Sequence, residues 1–99
     1  MQVKIAKTYF ARLRGLIGSR LGPDEALLIP HCRQVHTFFM SYPIDIVFLD
    51  KAMRVISIHT LSPWRISPLI LGSFYALELP KGGAKKQGIE VGRLLDISL

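Results

Sequence analysis

Cysteine is nearly absent: Cys32 stands alone in 99 residues. An internal disulfide is therefore excluded, and so are Cys-x-x-Cys redox and zinc-knuckle readings. Stability must come from packing, and a lone thiol suits a reducing compartment. Long apolar runs are also missing. No stretch approaches the roughly 20 residues that a spanning helix needs. The opening MQVKIAKTYF mixes charged, polar and apolar residues from its start, so no signal peptide is expected. Acidic residues are scarce, seven against thirteen Lys and Arg, for a net charge of +6. That balance permits contact with nucleic acid, anionic lipid or an acidic protein. The bases are scattered, however; only Lys81, Lys85 and Lys86 cluster, and no RNA- or DNA-binding motif accompanies them. The charge is read as the solvated surface of a cytoplasmic protein without membrane contact. Weak, non-specific phosphate contact by the Lys81 to Lys86 loop is the alternative.

What is present is a core. The apolar share is 49%, enough for one domain over residues 1–99, with no linker or internal repeat. A chain of this size buries roughly 60–70% of its unfolded surface, which leaves little area for a deep pocket. Gln2 to Ala6 alternates as a half-buried strand does. Thr8 can cap a helix to about Ser19, with Phe10, Leu13 and Ile17 on one face. Ala26 to Ile29 is a short apolar run stopped by Pro30. Gln34 to Met40 is rich in β-branched and aromatic residues and reads as a strand. Pro43 turns the chain, and Ile46 to Leu49 is continuous and apolar, as in a strand covered on both faces. Asp50 to Ala52 can close a hairpin with a return strand from Arg54 to Leu61. Pro63 and Pro68 forbid its continuation. Ser73 to Leu79 reads as another strand, Pro80 to Gly88 as a flexible connection, and Arg93 to Leu99 as a last strand. Six to eight short strands with one N-terminal α-helix predict a mainly β domain, a small sandwich or barrel.

Polar groups set into the apolar stretch from Cys32 to Asp50 mark either a satisfied network or a site. Cys32 and His36 are four apart, with His31 adjacent. On a strand, that spacing puts them roughly 13 Å apart, whereas zinc needs each ligand at about 2.0–2.3 Å. No metal and no cofactor is expected. Cys32, His36 and Asp45 are also the residue types of a thiol-based enzyme, which would require the base within reach of the sulfur. A cysteine among apolar neighbours is more often a small buried hydrophobe. His36 and Thr37 can serve structure instead, and Asp45, just after Pro43 and Ile44, can accept backbone amides and fix the hairpin turn. In Pro63-Trp64-Arg65, an indole beside a guanidinium can stack on a ring or grip a carboxylate or phosphate. Equally, Trp64 can lie on the core as a lid while Arg65 pairs with Asp45, Asp50 or Glu78. Phe38, Phe39, Phe48, Phe74 and Tyr75 are assigned to packing.

These motifs, taken in order, resemble the DUF192 family, also called UPF0127. The resemblance rests on Arg12-Leu13-Arg14-Gly15-Leu16-Ile17-Gly18, on Val35 to Met40, on Tyr42 to Asp50, on Pro63-Trp64-Arg65, on Leu77-Glu78-Leu79-Pro80, and on Gly88-Ile89 with Gly92. It implies a small mainly β domain of jelly-roll-like character, and no established activity. Three positions depart from the family pattern. Ser41 replaces a basic or amide residue. Lys81-Gly82-Gly83 replaces a Pro-Ala-Gly run and predicts a looser turn. Arg93 replaces an acidic residue and predicts a lost pairing.

The function expected is a small binding or accessory domain without catalysis. Its candidate ligand-binding residues are His36, Thr37, Asp45, Trp64 and Arg65. The occupant would be a small polar or anionic ligand or a segment of a partner protein. The alternatives are a thiol- or metal-dependent enzyme using Cys32, His36 and Asp45, or a weak nucleic-acid binder.

Overall fold

The computed structural model of the chain describes residues 1–6 and 21–97. Five strands form one sheet: β1 (Gln2–Ile5), β2 (Glu25–Pro30), β3 (Ile44–Leu49), β4 (Val55–Leu61) and β5 (Tyr75–Pro80). Their spatial order is β1-β2-β5-β3-β4, so the last strand in sequence sits at the centre. β1 runs parallel to β2, and every other pairing is antiparallel. A parallel pair needs a crossover connection, and residues 7–20, between these two strands, lie outside the described part. The helix expected from Thr8 to about Ser19 lies outside the described residues.

β3 shows why the sheet is buried on both faces. Its six residues, Ile44 to Leu49, are all buried. Side chains alternate along a strand, and both sets find a core. Ile44, Ile46 and Phe48 pack with Leu27, Ile29 and Ala76, covered by Val35, Met40 and Tyr42. Val47 and Leu49 pack with Ala26, Leu28, Leu77 and Leu79, covered by Ala84 and Ile89. Each fully buried Leu, Ile or Phe side chain contributes about 1.5–3 kcal/mol. Loops and one short helical turn, not a second sheet, make these covers in the described part of the chain. The domain is mainly β as expected, but the described strands form an open sheet with β1 and β4 at its edges, and do not close into a barrel.

Two expected strands do not form. Gln34 to Met40 is irregular, with a single bridge from His36 to Ile66. Backbone bonds do zip it to the loop after β4: Thr37 N–H to Arg65 O (2.8 Å), Ser67 N–H to Val35 O (2.8 Å) and Ile70 N–H to Arg33 O (2.8 Å). A regular ladder does not extend there because the return donors are taken by hydroxyls: Val35 N–H bonds Ser67 Oγ (2.9 Å) and Arg65 N–H bonds Thr37 Oγ1 (2.9 Å). Arg93 to Ile97 likewise makes one bridge, Leu94 to Arg54, and residues 98–99 lie outside the described part.

The Pro80 to Gly88 connection is ordered, contrary to expectation. It contains a one-turn helix, α1 (Gly83–Lys86). Gly82 takes a left-handed φ of 86°. A Cβ on Gly83 would come within 2.9 Å of Leu79 Cβ. The glycine pair that predicts a loose turn therefore makes a close one: one residue reverses the chain and the next lets it press against β5. Arg93 pairs with Glu90 at 2.9 Å on the exposed surface.

Candidate functional site

Thr37 organises the region around Trp64. Its side chain is fully buried. The hydroxyl donates to Ser62 O (2.6 Å) and accepts from Arg65 N–H (2.9 Å). Its carbonyl accepts from Trp64 N–H (3.0 Å) and Met40 N–H (3.2 Å). One threonine thus fastens the Ser62 to Arg65 turn onto the Thr37 to Met40 turn. It is a positioning residue, with no surface of its own to offer a ligand.

The rings those turns carry face outward. Phe39 is 62% exposed and Trp64 is 58% exposed. They meet edge-on with centroids 4.8 Å apart. Phe38 lies between Trp64, at 6.0 Å, and His36, stacked at 4.6 Å. Ile66 is exposed beside His36, across the bridge. Phe39 and Trp64 also hold left-handed backbones, φ 68° and 62°, at about 1–2 kcal/mol each for a residue with a Cβ. The expectation that Phe38 and Phe39 pack inside fails for this reason: the two turns leave the sheet and aim their rings at solvent. Of the five aromatics assigned to packing, Phe48 is fully buried, while Phe74 and Tyr75 are half-buried and meet edge-on at 4.7 Å. Trp64 is not a lid on the core. Arg65 is exposed, and among the described residues it forms no ion pair.

His36 is partly buried, and its Nδ1 accepts from Phe38 N–H (3.2 Å). Loss of water around the ring lowers its pKa below the ordinary histidine value. Both facts favour the neutral imidazole.

Asp45 makes its contacts elsewhere. Its carboxylate accepts from Gly82 N–H (3.1 Å), Ala84 N–H (3.1 Å) and Thr60 Oγ1–H (2.8 Å). The expected chemistry, a carboxylate on backbone amides, is present at a different turn, the one before α1 rather than the one at Pro43. Asp45 also lines a hollow with Thr60, Lys81 and Lys85. Cys32 is half-buried, and its thiol donates to Gln34 O (3.3 Å). Among the described residues, the Cys32 thiol bonds Gln34 O, His36 Nδ1 bonds Phe38 N–H, and the Asp45 carboxylate bonds Gly82, Ala84 and Thr60. Among the described residues, no group of three or more His, Cys, Asp or Glu could hold a metal ion, and no helix is long and apolar enough to cross a membrane.

The sequence reading missed two features. Glu78 is fully buried on β5, level with Leu27 and Ile46. Its only signal is the Leu77-Glu78-Leu79 alternation, which looks like a solvent-facing position until β5 proves central. The second is a basic hollow beyond the ends of β2 and β3.

The model of the DUF192 family, described as "Uncharacterized ACR", matches residues 1–97. A UPF0127 protein of Thermococcus sibiricus is 33% identical over 103 residues, covering 96% of this chain and 65% of that protein. The chain therefore spans just under two thirds of that relative's length. A second UPF0127 protein, from Pyrococcus abyssi, is 33% identical over 95 residues, covering 92% of this chain and 81% of that protein. Among solved structures, a protein of unknown function from Novosphingobium aromaticivorans shares the fold with a TM-score of 0.76 at 24% identity, covering 91% of this chain and 70% of that one. A family model matched along nearly the whole length, with relatives a third identical over most of it, establishes that this chain belongs to the DUF192 family of uncharacterised proteins.

Proposed function

We propose that the chain is a small non-catalytic binding domain whose contact surface is the aromatic prominence of Phe38, Phe39 and Trp64, flanked by His36, Arg65 and Ile66. The occupant is a segment of a partner protein that carries an apolar or aromatic side chain next to a carboxylate. One observation carries this reading: Phe39 and Trp64 touch each other, stay mostly exposed and hold left-handed backbones. Strained, exposed aromatic residues are kept where the surrounding structure over-determines them, and such places are often functional. Tryptophan and arginine are also the residue types that dominate binding energy at interfaces. The exposed Arg65, next to Trp64 on the same turn and in no ion pair among the described residues, selects a carboxylate. A cytoplasmic setting belongs to the same proposal, since the lone half-buried thiol suits a reducing compartment.

Panning a random peptide library against the folded protein tests this. Peptides pairing an aromatic or large aliphatic residue with Asp or Glu are expected to emerge, and Trp64→Ala and Phe39→Ala should each weaken them by about tenfold or more. Selected peptides that bind wild type and Trp64→Ala equally would sink the assignment.

A further inference from the structure

The sheet topology builds a second place for a ligand. Tyr75, at the start of β5, pairs with Pro30 at the end of β2 and with Leu49 at the end of β3. The residues just beyond those strands must therefore converge. Phe74 N–H donates to Leu49 O (2.8 Å), and Cys32 N–H donates to Phe74 O (3.0 Å). The buried Ser73 hydroxyl donates to Cys32 O (2.8 Å) and so ties the segment after β2 to the segment before β5. Two adjoining hollows of about 420 Å³ each result, sharing Arg33, Lys51, Ser73 and Phe74 as walls. That volume lies within the range of small-molecule sites.

The walls are basic and partly apolar. Lys51 Nζ sits 5.5 Å from the Phe74 ring centre, and the His31 ring lies 4.5 Å from it on a left-handed backbone of φ 55°. Leu71, among the most exposed apolar residues, borders one hollow. Neither Arg33 nor Lys51 forms an ion pair among the described residues, whereas Lys4, Arg93 and the N-terminus each do. Asp50 is the one opposing charge on the walls. Its Oδ1 already accepts from Ala52 N–H (2.9 Å) and Arg54 N–H (3.0 Å).

We propose that this hollow binds a small phosphate-bearing molecule, with Arg33 and Lys51 on the phosphoryl oxygens and Leu71 and Phe74 against an apolar remainder. Two cations supplied by different loops match a dianion better than a single carboxylate. A guanidinium fork can take two oxygens while an ammonium takes a third. None of these walls belongs to the aromatic prominence, so either site can fail alone.

Phenyl phosphate, inorganic phosphate and benzoate, titrated into 15N-labelled protein, test the proposal. Phenyl phosphate should give saturable shifts confined to amides of residues 31–33, 50–52 and 71–74. Inorganic phosphate should move the same amides at higher concentration, because it lacks the apolar part, and benzoate should bind more weakly than phenyl phosphate. Arg33→Gln and Lys51→Gln should each weaken phenyl phosphate by about tenfold. Both side chains are exposed, so the folded spectrum should persist, and Lys4→Gln should change nothing. Unsaturable shifts spread over all the lysines would overturn the proposal. So would benzoate binding as tightly as phenyl phosphate, or wild-type affinity in both Gln variants.

Discussion

Asp45→Asn should destabilise the domain measurably, although it changes one atom. The carboxylate is 4% exposed and accepts three hydrogen bonds, from Gly82, Ala84 and Thr60. Asparagine can turn its oxygen to the two amides and its NH₂ to Thr60 Oγ1, which can rotate to accept. All three contacts then survive, but their charge assistance is lost. Hydrogen bonds to charged groups contribute about 1.5–3 kcal/mol against about 1 for neutral ones, about 0.5–2 kcal/mol less per bond; the three bonds share one charge and do not add, so the net loss is about 1–2 kcal/mol. For a domain of this size that lowers Tm by about 4–15 °C. Asp45→Ala should cost more. The Gly82 amide can turn to water, but the buried Ala84 amide cannot, which raises the loss to about 2–4 kcal/mol. Differential scanning calorimetry measures both. Amide exchange locates the effect: Lys86 and Gln87, whose N–H groups bond back to Gly82 and Gly83, should exchange faster than the β3 amides. An unchanged Tm in Asp45→Asn would refute the claim that this carboxylate holds the turn.

Thr37→Val should cost about 1–3 kcal/mol, because its hydroxyl is buried between Ser62 O and Arg65 N–H; urea titration measures the loss, and faster exchange of the Arg65 amide shows where it falls. Gly83→Ala should cost about 1–3 kcal/mol through the Leu79 contact, and Gly82→Ala about 1–2 kcal/mol through its left-handed φ alone; the pair of Tm values checks both. Because burial lowers the His36 pKa, the unfolded chain binds the His36 proton first as pH falls. The His36 contribution is therefore intact above the ordinary histidine value and is lost as pH falls through it toward the lower folded value. Urea titrations from about pH 7.5 to 5 should show this decline in wild type and a flatter profile in His36→Gln. Equal slopes would contradict it.

How much of this was legible in the sequence depended on how local the cause was. Ile46 to Leu49 reads as doubly covered because a continuous apolar run has no solvent face to spare, and all of β3 is buried. The β3–β4 hairpin is legible in the short polar stretch after Leu49, although Met53, not a glycine, takes the left-handed position, with φ 67°. Gln34 to Met40 misleads because phenylalanine and threonine favour strands by composition. What decides their fate is the Thr37 hydroxyl meeting a loop about 25 residues later. The flexible reading of Pro80 to Gly88 fails the same way, since the carboxylate that orders it lies 37 residues upstream. His36, Thr37, Trp64 and Arg65 do come together, through Thr37, while Asp45 lies with Thr60 and Gly82. The basic hollow had no local signal at all. His31, Arg33 and Lys51 meet only because β5 inserts between β2 and β3.

Trp64 is the only tryptophan in the chain, so its fluorescence reports on the proposed contact surface without labelling. The direct measurement is its emission during titration with a library-selected peptide, alongside the peptide's affinity for Phe39→Ala. Burial of the exposed indole should shift the emission to shorter wavelength along the binding curve, and Phe39→Ala should weaken the curve by about tenfold. Saturable peptide binding by calorimetry that leaves Trp64 emission unmoved, with full affinity in Phe39→Ala, would place the contact surface elsewhere on the molecule.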